Sequence, residues 1–382
     1  MNFTIITNKI DLDKKVTPSF SFETGAKYSL VNNRSNIELL SRTGTNDFVL
    51  DSELSNEYDY QENIFAGYVN FKKKFKEKIA VQLGLRFENT VVDGLNKTTN
   101  YHLKRNYSNL FPSLAIDYSP SKKNSYQLAY SYRLNRPGYE QMIPGKIFSD
   151  QLSYSVGNPF LVPQYSHNIN LESFHNRTVG NSIGYTHVDN SLYGYSYTLD
   201  SSQISVDTMI NFAAKDMISY SFFIQKQIKN FYRGQFRAMG IYSSFSGEVN
   251  GYKIRSETFA FRFMMNNDFI LPKDFKLQVS IDYMTPFLEG VQKYSSKGSI
   301  NFMINKSWMK GQLNTGIGVY DLLYSDFGTV TSVLPGQVSD MLFRSDSRRL
   351  GINLKYYFGN MRFKRKVESK GDDNVDRIQK AG

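Results

Sequence analysis

The sequence predicts an all-β protein, an antiparallel transmembrane β-barrel of about fourteen to sixteen strands. Three observations carry this. Large apolar side chains alternate with small or polar ones in segment after segment, and successive side chains of a strand point to opposite faces. The connections alternate between short turns and long polar loops, the rhythm of outer-membrane barrels. Aromatic residues reach 15%, with 27 Tyr and 29 Phe against one Trp, and Tyr and Phe favour strands.

The elements follow in order. Phe3 to Asp13 reads as a first strand, ending at the polar turn Asp13-Lys14-Lys15. Ser19 to about Leu40 reads as a long strand interrupted at Asn32-Asn33-Arg34, and Arg42 to Asp59 as a polar loop. Ile64 to Phe75 is a strand, closed by the turn Lys76-Glu77. Ile79, Val81, Leu83, Leu85 and Phe87 then mark one face of the next, and Val91 to Asn106 reads as a longer loop. Leu114, Ile116 and Tyr118 lead to the turn Ser119–Asn124. The strand after it sets Tyr126, Leu128, Tyr130, Tyr132 and Leu134 against Gln127, Ala129, Ser131 and Arg133. Arg136 to Gln164 is the longest central loop. Further strands hold Ile169 and Leu171, then Ile183 to about Thr198, Ile204 to Gln227, and Phe236 to Phe245. The later ones carry Phe259 to Met265, Phe275 to Tyr283, Ile300 to Trp308, Leu313 to Val319, and Leu350 to Phe358. Residues 359–382 read as a basic, disordered periplasmic tail, so the barrel domain is assigned to 1–358.

A soluble sandwich would alternate too. Here the apolar set is large and aromatic at several successive outward positions, and Tyr118, Tyr126, Trp308 and Phe358 sit near strand ends, where aromatic girdles meet lipid headgroups. No helical segment is available to cover either face, and in lipid only a closed sheet pairs every backbone group of a strand. No run approaches eighteen apolar residues, so no helix spans a membrane. The net charge of +11 is spread singly apart from Lys72–Lys76 and Arg362–Lys366, which reads as solvated faces and a tail and not as a nucleic-acid surface. Cysteine is absent, which excludes disulfides and thiolate metal sites.

Met1 to Ile6 lacks the features of a secretory signal. About fifteen segments are counted, whereas bacterial barrels have an even number of strands with both ends periplasmic. Counted back from the last strand, the first would begin outside the cell. The expectation is that earlier strands are missing.

Several stretches resemble the outer-membrane β-barrel region of TonB-dependent receptors, in particular the Bacteroidetes-type barrel family. They are Gly84-Leu85-Arg86-Phe87-Glu88-Asn89-Thr90, Leu110-Phe111-Pro112-Ser113, the run Tyr130 to Pro137, the run Gly157 to His167, and the ending Leu350 to Gly359 with its basic tail. The resemblance implies a 22-stranded barrel with a plug domain in its lumen, energised by TonB from the periplasm. It implies binding and import of a scarce solute such as a siderophore, cobalamin, glycan or peptide. This sequence shows no plug domain and no TonB-contacting segment, which fits the C-terminal portion of such a receptor, with outer-membrane lipid as its surroundings. The other reading is a self-contained passive channel or surface-binding barrel.

No catalytic, cofactor or metal constellation stands out. His102, His167, His175 and His187 are scattered without ligand spacing. Asp11 and Asp13 suit turn capping, and no motif singles out a nucleophile. The candidates are residues of the barrel mouth: Arg133, Arg136, Pro137, Tyr139, Gly157, Asn158, Pro159, Leu161 and Pro163. Arg133 and Arg136 could meet an anionic solute or a plug, but lumenal salt bridges with Glu88 or Asp117 are favoured. Gly157-Asn158-Pro159 and Pro163 most simply fix an irregular loop. Tyr139, Tyr154 and Tyr165 suit stacking on a sugar or chelate, and suit loop packing equally.

Overall fold

The computed structural model describes residues 1–358 except 43, 45–46, 200–202, 250 and 335–336, and beyond them Arg377. One sheet holds seventeen strands, two of which are the short segments Lys146–Asp150 and Ser153–Val156. Among the described residues the other fifteen form a single antiparallel ladder in chain order. These are β1 (Asn2–Thr17), β2 (Phe20–Ile37), β3 (Asn56–Phe75), β4 (Ile79–Asn96), β5 (Tyr101–Tyr118), β6 (Asn124–Asn135), β7 (Gln164–His175) and β8 (Val179–Leu199). They continue as β9 (Ile204–Ile228), β10 (Tyr232–Val249), β11 (Tyr252–Leu271), β12 (Phe275–Met284), β13 (Lys297–Trp308), β14 (Leu313–Tyr320) and β15 (Arg349–Tyr356). Each pairs with the strand before it, and β1 and β15 each have one neighbour in the ladder.

The register turns the alternation into a belt. Phe22 faces Phe71, which faces Leu83, then Leu114, Tyr130, Ile169, Tyr185, Ile218, Tyr242 and Phe259, strand by strand from β2 to β11. Val279, Phe302, Val319 and Leu350 continue it from β12 to β15. Most of these side chains are wholly or partly exposed. An apolar surface of this extent suits lipid, because water-facing surfaces rarely carry large contiguous apolar patches. The opposite face carries polar partners, such as Gln127 donating to Asp117 at 2.7 Å and the Arg262–Asp282 pair at 3.0 Å.

The short turns gather at one end. Lys76-Glu77, Asn176-Arg177, Lys273-Asp274 and Met309-Lys310 all have positive φ. Paired positive φ gives the turn twist that matches two right-handed strands. Several elements differ from the expected ones. The first strand does not stop at Asp13–Lys15 but runs to Thr17, with Lys14 paired to Phe22, and reverses at Pro18-Ser19. Charged residues beyond the apolar belt cost little, so they do not end the ladder; Pro18, which lacks an N–H, follows its last residue. The stretch 91–106 is not a loop. β4 runs to Asn96 and β5 starts at Tyr101, so only 97–100 turn. Likewise β3 begins at Asn56, within the expected loop. About nine to eleven residues cross a bilayer, whereas β3, β8 and β9 have 20, 21 and 25. The excess projects past the belt at the long-loop end; in β3, β4 and β5 it is strand that reads in sequence as loop, whereas the expected β8 and β9 already have nearly this length. The expected tail, residues 359–382, lies outside the described residues apart from Arg377.

The long-loop end has structure of its own. Phe287–Glu289, Gln292–Tyr294, Gly328–Leu334 and Gln337–Phe343 form a four-stranded sheet. Asp321, 2% exposed, anchors the last loop. It accepts from the Ser347 hydroxyl at 2.6 Å and from the N–H groups of Ser325 and Asp326 at 2.9 and 3.1 Å. Burial pushes its carboxyl up, but these donors outweigh burial and hold it below the ordinary carboxylate range. A lowered folded-state value gives a contribution that is full above the unfolded pKa of about 3.9 and is lost as pH falls through the folded value. Protease nicking of the 321–348 loop is therefore expected to rise below about pH 4. Asp321→Asn should be nicked faster at neutral pH, with the acid-dependent step reduced.

Candidate functional site

Three elements meet at the long-loop end. The first is the loop from Arg136 to Pro163, built around the single helical turn α1 (Tyr139–Met142). The second is the upper part of the β8–β9 hairpin, beyond the point where β9 parts from β10 at Ala214. Ser205–Asp207 of its freed edge is taken in parallel by Ser153–Ser155 of the first loop. The third is the hairpin Phe287–Tyr294. The Tyr193 hydroxyl donates to the Glu289 carbonyl at 3.0 Å and accepts from the Val291 N–H at 3.2 Å. Lys215 pairs with Glu289 at 3.0 Å. Tyr193, Tyr195, Phe212 and Phe245 pack as one buried cluster beneath.

These elements line an open cavity of about 770 Å³. Tyr294 offers ring surface beside the buried Tyr193 and Tyr195, Glu140 and Asp207 offer carboxylates, Glu289 is already met by Lys215, and Gln141, Gln292, Ser155 and Ser196 offer neutral polar groups. Among the described lining residues there is no Lys, Arg or His. Neutral hydrogen-bonding groups between aromatic rings are the common make-up of small-molecule sites.

The nine sequence candidates divide. Gly157, Asn158, Pro159, Leu161 and Pro163 brace the cavity wall. The Asn158 N–H donates to the Gln141 carbonyl at 2.7 Å, and its side-chain amide donates to the Met209 carbonyl at 3.1 Å. Asn211 grips Val162 from both sides, accepting from its N–H at 2.8 Å and donating to its carbonyl at 2.9 Å. Leu161 is buried, and its carbonyl and that of Pro159 accept from Arg105. Pro163 is buried. A Cβ on Gly157 would overlap the Ile143 carbonyl and approach Ile143 N and Glu140 O to 2.6 and 2.8 Å, all backbone atoms. Gly157→Val is expected to displace α1 at a cost of about 1–3 kcal/mol, read as faster proteolysis within 139–163.

Arg136, Pro137 and Tyr139 belong to a second, polar cluster on the concave wall. Arg136 donates to Glu88 and to Thr90, both at 2.8 Å, and lies 3.8 Å from Glu62. Arg86 also pairs with Glu88. Tyr139, 1% exposed, donates to Glu62 at 3.1 Å. Arg133 stands apart, exposed, and among the described residues its hydrogen bond is the local one to Ser131 at 3.1 Å. Asp117, offered in the sequence as a partner for the arginines, pairs instead with Gln127. Tyr154 packs on Phe148 under Lys146, and Tyr165 donates to Asn109 at 3.1 Å.

Sequence reasoning passed over Glu62, Tyr193, Asn211 and Glu289. Glu62 had a signal: it continues the register Tyr58, Tyr60, Ile64, a buried row in which a carboxylate is out of place. The others are joined by contacts distant in sequence, such as Tyr193 to Glu289, and had none.

The comparisons agree with this geometry. Structurally similar chains include the ferric yersiniabactin uptake receptor FyuA from Yersinia pestis (TM-score 0.63, 12% identity, 93% of this chain and 54% of that one). The copper transporter OprC gives a TM-score of 0.67 at 10% identity, covering 93% of this chain and 56% of that one. The ferric-catecholate import receptor Fiu from E. coli K12 gives 0.63 at 10% identity, covering 93% and 55%. The chain thus spans about half the length of the structures it matches. No curated sequence matches it. The resemblance to receptor barrels holds at the level of fold, and the fold and family place the chain in the outer membrane. The family described as the outer membrane protein beta-barrel family matches residues 1–356, and the chain belongs to it.

Proposed function

We propose that the chain is the C-terminal barrel portion of a TonB-dependent receptor, binding a scarce solute at its mouth for import across the outer membrane. The observation that carries this is the cavity of about 770 Å³ where three long-loop elements meet. In this reading the long-loop end faces outside, the short-turn end faces the periplasm, and TonB engages a region outside this sequence. Among the described residues the outer edges of β1 and β15 are unpaired, which supports the barrel-portion reading over a self-contained channel.

The lining narrows the solute. Rings beside Glu140 and Asp207, with Glu289 already met by Lys215, suit a neutral polyhydroxylated or cationic solute and disfavour a polyanion. Calorimetry on the detergent-extracted protein tests this with a neutral oligosaccharide, a cationic peptide and a ferric tricatecholate. One of the first two is expected to bind, and Tyr294→Ala to weaken it about tenfold, the loss of one aromatic contact. Preferred binding of the tricatecholate, insensitive to Tyr294→Ala, would sink the assignment.

A further inference from the structure

The net charge of +11 is spread thinly along the sequence, yet the fold gathers much of it at one end. Six of the seven short turns carry a cation, Lys76, Lys122, Arg177, Lys229, Lys273 and Lys310, and Lys14 flanks the seventh. On four strands the belt row ends in one pattern: an apolar residue, a lysine two positions on, and an apolar residue two further. The rows are Leu12, Lys14 and Val16 on β1, Phe71, Lys73 and Phe75 on β3, Ile224, Lys226 and Ile228 on β9, and Ile304, Lys306 and Trp308 on β13. Residues two apart share a face, so these lysines stand on the belt side, at its short-turn margin. We propose that this rim binds the phosphate groups of anionic phospholipids in the leaflet at the short-turn end, with Lys14, Lys73, Lys226 and Lys306 as the contacts.

The two ends of the belt face treat their cations differently. At the long-loop end the fold supplies carboxylates: Arg34 meets Asp59 at 3.0 Å, Lys97 meets Glu57 at 2.6 Å and Arg255 meets Glu257 at 2.8 Å. At the short-turn end, among the described residues, none of the four lysines is paired with a carboxylate. What they have is rings. Lys306 Nζ lies 3.8 Å from the centre of the Trp308 ring and 4.5 Å from that of Phe275, and Lys73 Nζ lies 5.2 Å from that of Phe75. A ring face attracts the ammonium on one side and leaves its N–H donors to be met by an oxygen acceptor. Aromatic rings collect at the level of the headgroups, and a lysine stem lies along apolar surface while its ammonium reaches the polar layer. The acceptor at that level is the lipid phosphate, and fixed cations beside it attract anionic lipids. Further strands beside β1 or β15 and a domain in the lumen would both leave this outer side open to lipid. The rim lies at the opposite end from the mouth cavity and is independent of the solute bound there.

Trp308 is the one tryptophan of the chain, so it reports on the Lys306 position alone. The detergent-extracted protein is placed in vesicles of mixed phosphatidylglycerol and phosphatidylcholine, and one lipid at a time is supplied in brominated form to quench Trp308. Phosphatidylglycerol is expected to be preferred there about fivefold, the share of one lysine beside a headgroup layer. Lys306→Gln should remove the preference and Lys306→Arg should keep it, with heat-modifiable migration as the check on folding. Replacing chloride by inorganic phosphate at one ionic strength should leave it standing. Trp308→Phe combined with Phe75→Trp moves the reporter to Lys73, where the same preference is expected. Equal quenching by the two lipids in the parent would overturn the proposal without any variant. So would a preference that survives Lys306→Gln, its absence at Phe75→Trp, or its loss in free phosphate, which would mark a site for a soluble anion.

Discussion

Arg136→Leu is expected to cost about 3–5 kcal/mol, the range for removing one partner of a buried ion pair. Glu62 and Glu88 are both buried, at 1% and 5% exposure, and both face Arg136. Removing the guanidinium also strips Thr90 of its donor. The partners that remain are Arg86 for Glu88 and Tyr139 with Arg377 for Glu62. Arg136→Lys should recover only part of the loss: one ammonium can meet Glu88 and Thr90 as Nη2 does, but it leaves no second nitrogen beside Glu62, which Arg136 Nε approaches to 3.8 Å. Arg133→Leu is the control. Arg133 is exposed and, among the described residues, bonded to Ser131 alone, so its loss should fall within about 0.5 kcal/mol. Urea titration followed by strand signal, in one detergent for all variants, ranks the three. Equal losses at Arg133 and Arg136 would mean that the cluster carries no particular share of stability.

The contrast between those arginines shows what the sequence could tell. Both stand in one motif, three residues apart, and the sequence offered both the same two carboxylates. Which one reaches a carboxylate depends on where β6 ends: Arg133 lies within the strand and Arg136 just past Asn135, where the chain turns over the concave face. The sheet was legible because period-two alternation is local and repeats fifteen times. Strand ends were less so, since a strand that leaves the belt loses its apolar marker while keeping its ladder, as β4 and β5 do between residues 91 and 106. The mouth cavity was least legible. The family-like residues Gly157 to Pro163 mark its wall, but Tyr193, Asn211 and Glu289 meet them only through the fold.

Ile218→Arg is expected to cost about 2–4 kcal/mol in lipid vesicles, the penalty for a cation near the bilayer midplane on the outer face of a barrel. Ile218 is 50% exposed and stands in the belt between Tyr185 and Tyr242. Ser219→Arg, one residue along and on the opposite face, should cost far less, because successive side chains alternate between lipid and lumen. Trp308→Arg, at the short-turn limit of β13, should cost only about 0–1 kcal/mol for charge, since the penalty fades toward the interface. The sign of the Ile218 result matters most. On a water-facing sheet, replacing a half-exposed isoleucine by arginine would fall within about 0.5 kcal/mol of zero. A large loss at 218, a small one at 219 and a graded one at 308 can arise together only if one face of this sheet has lipid as its solvent. Equal, small losses at all three would remove the membrane from the account, and with it the reading of the long-loop end as a mouth.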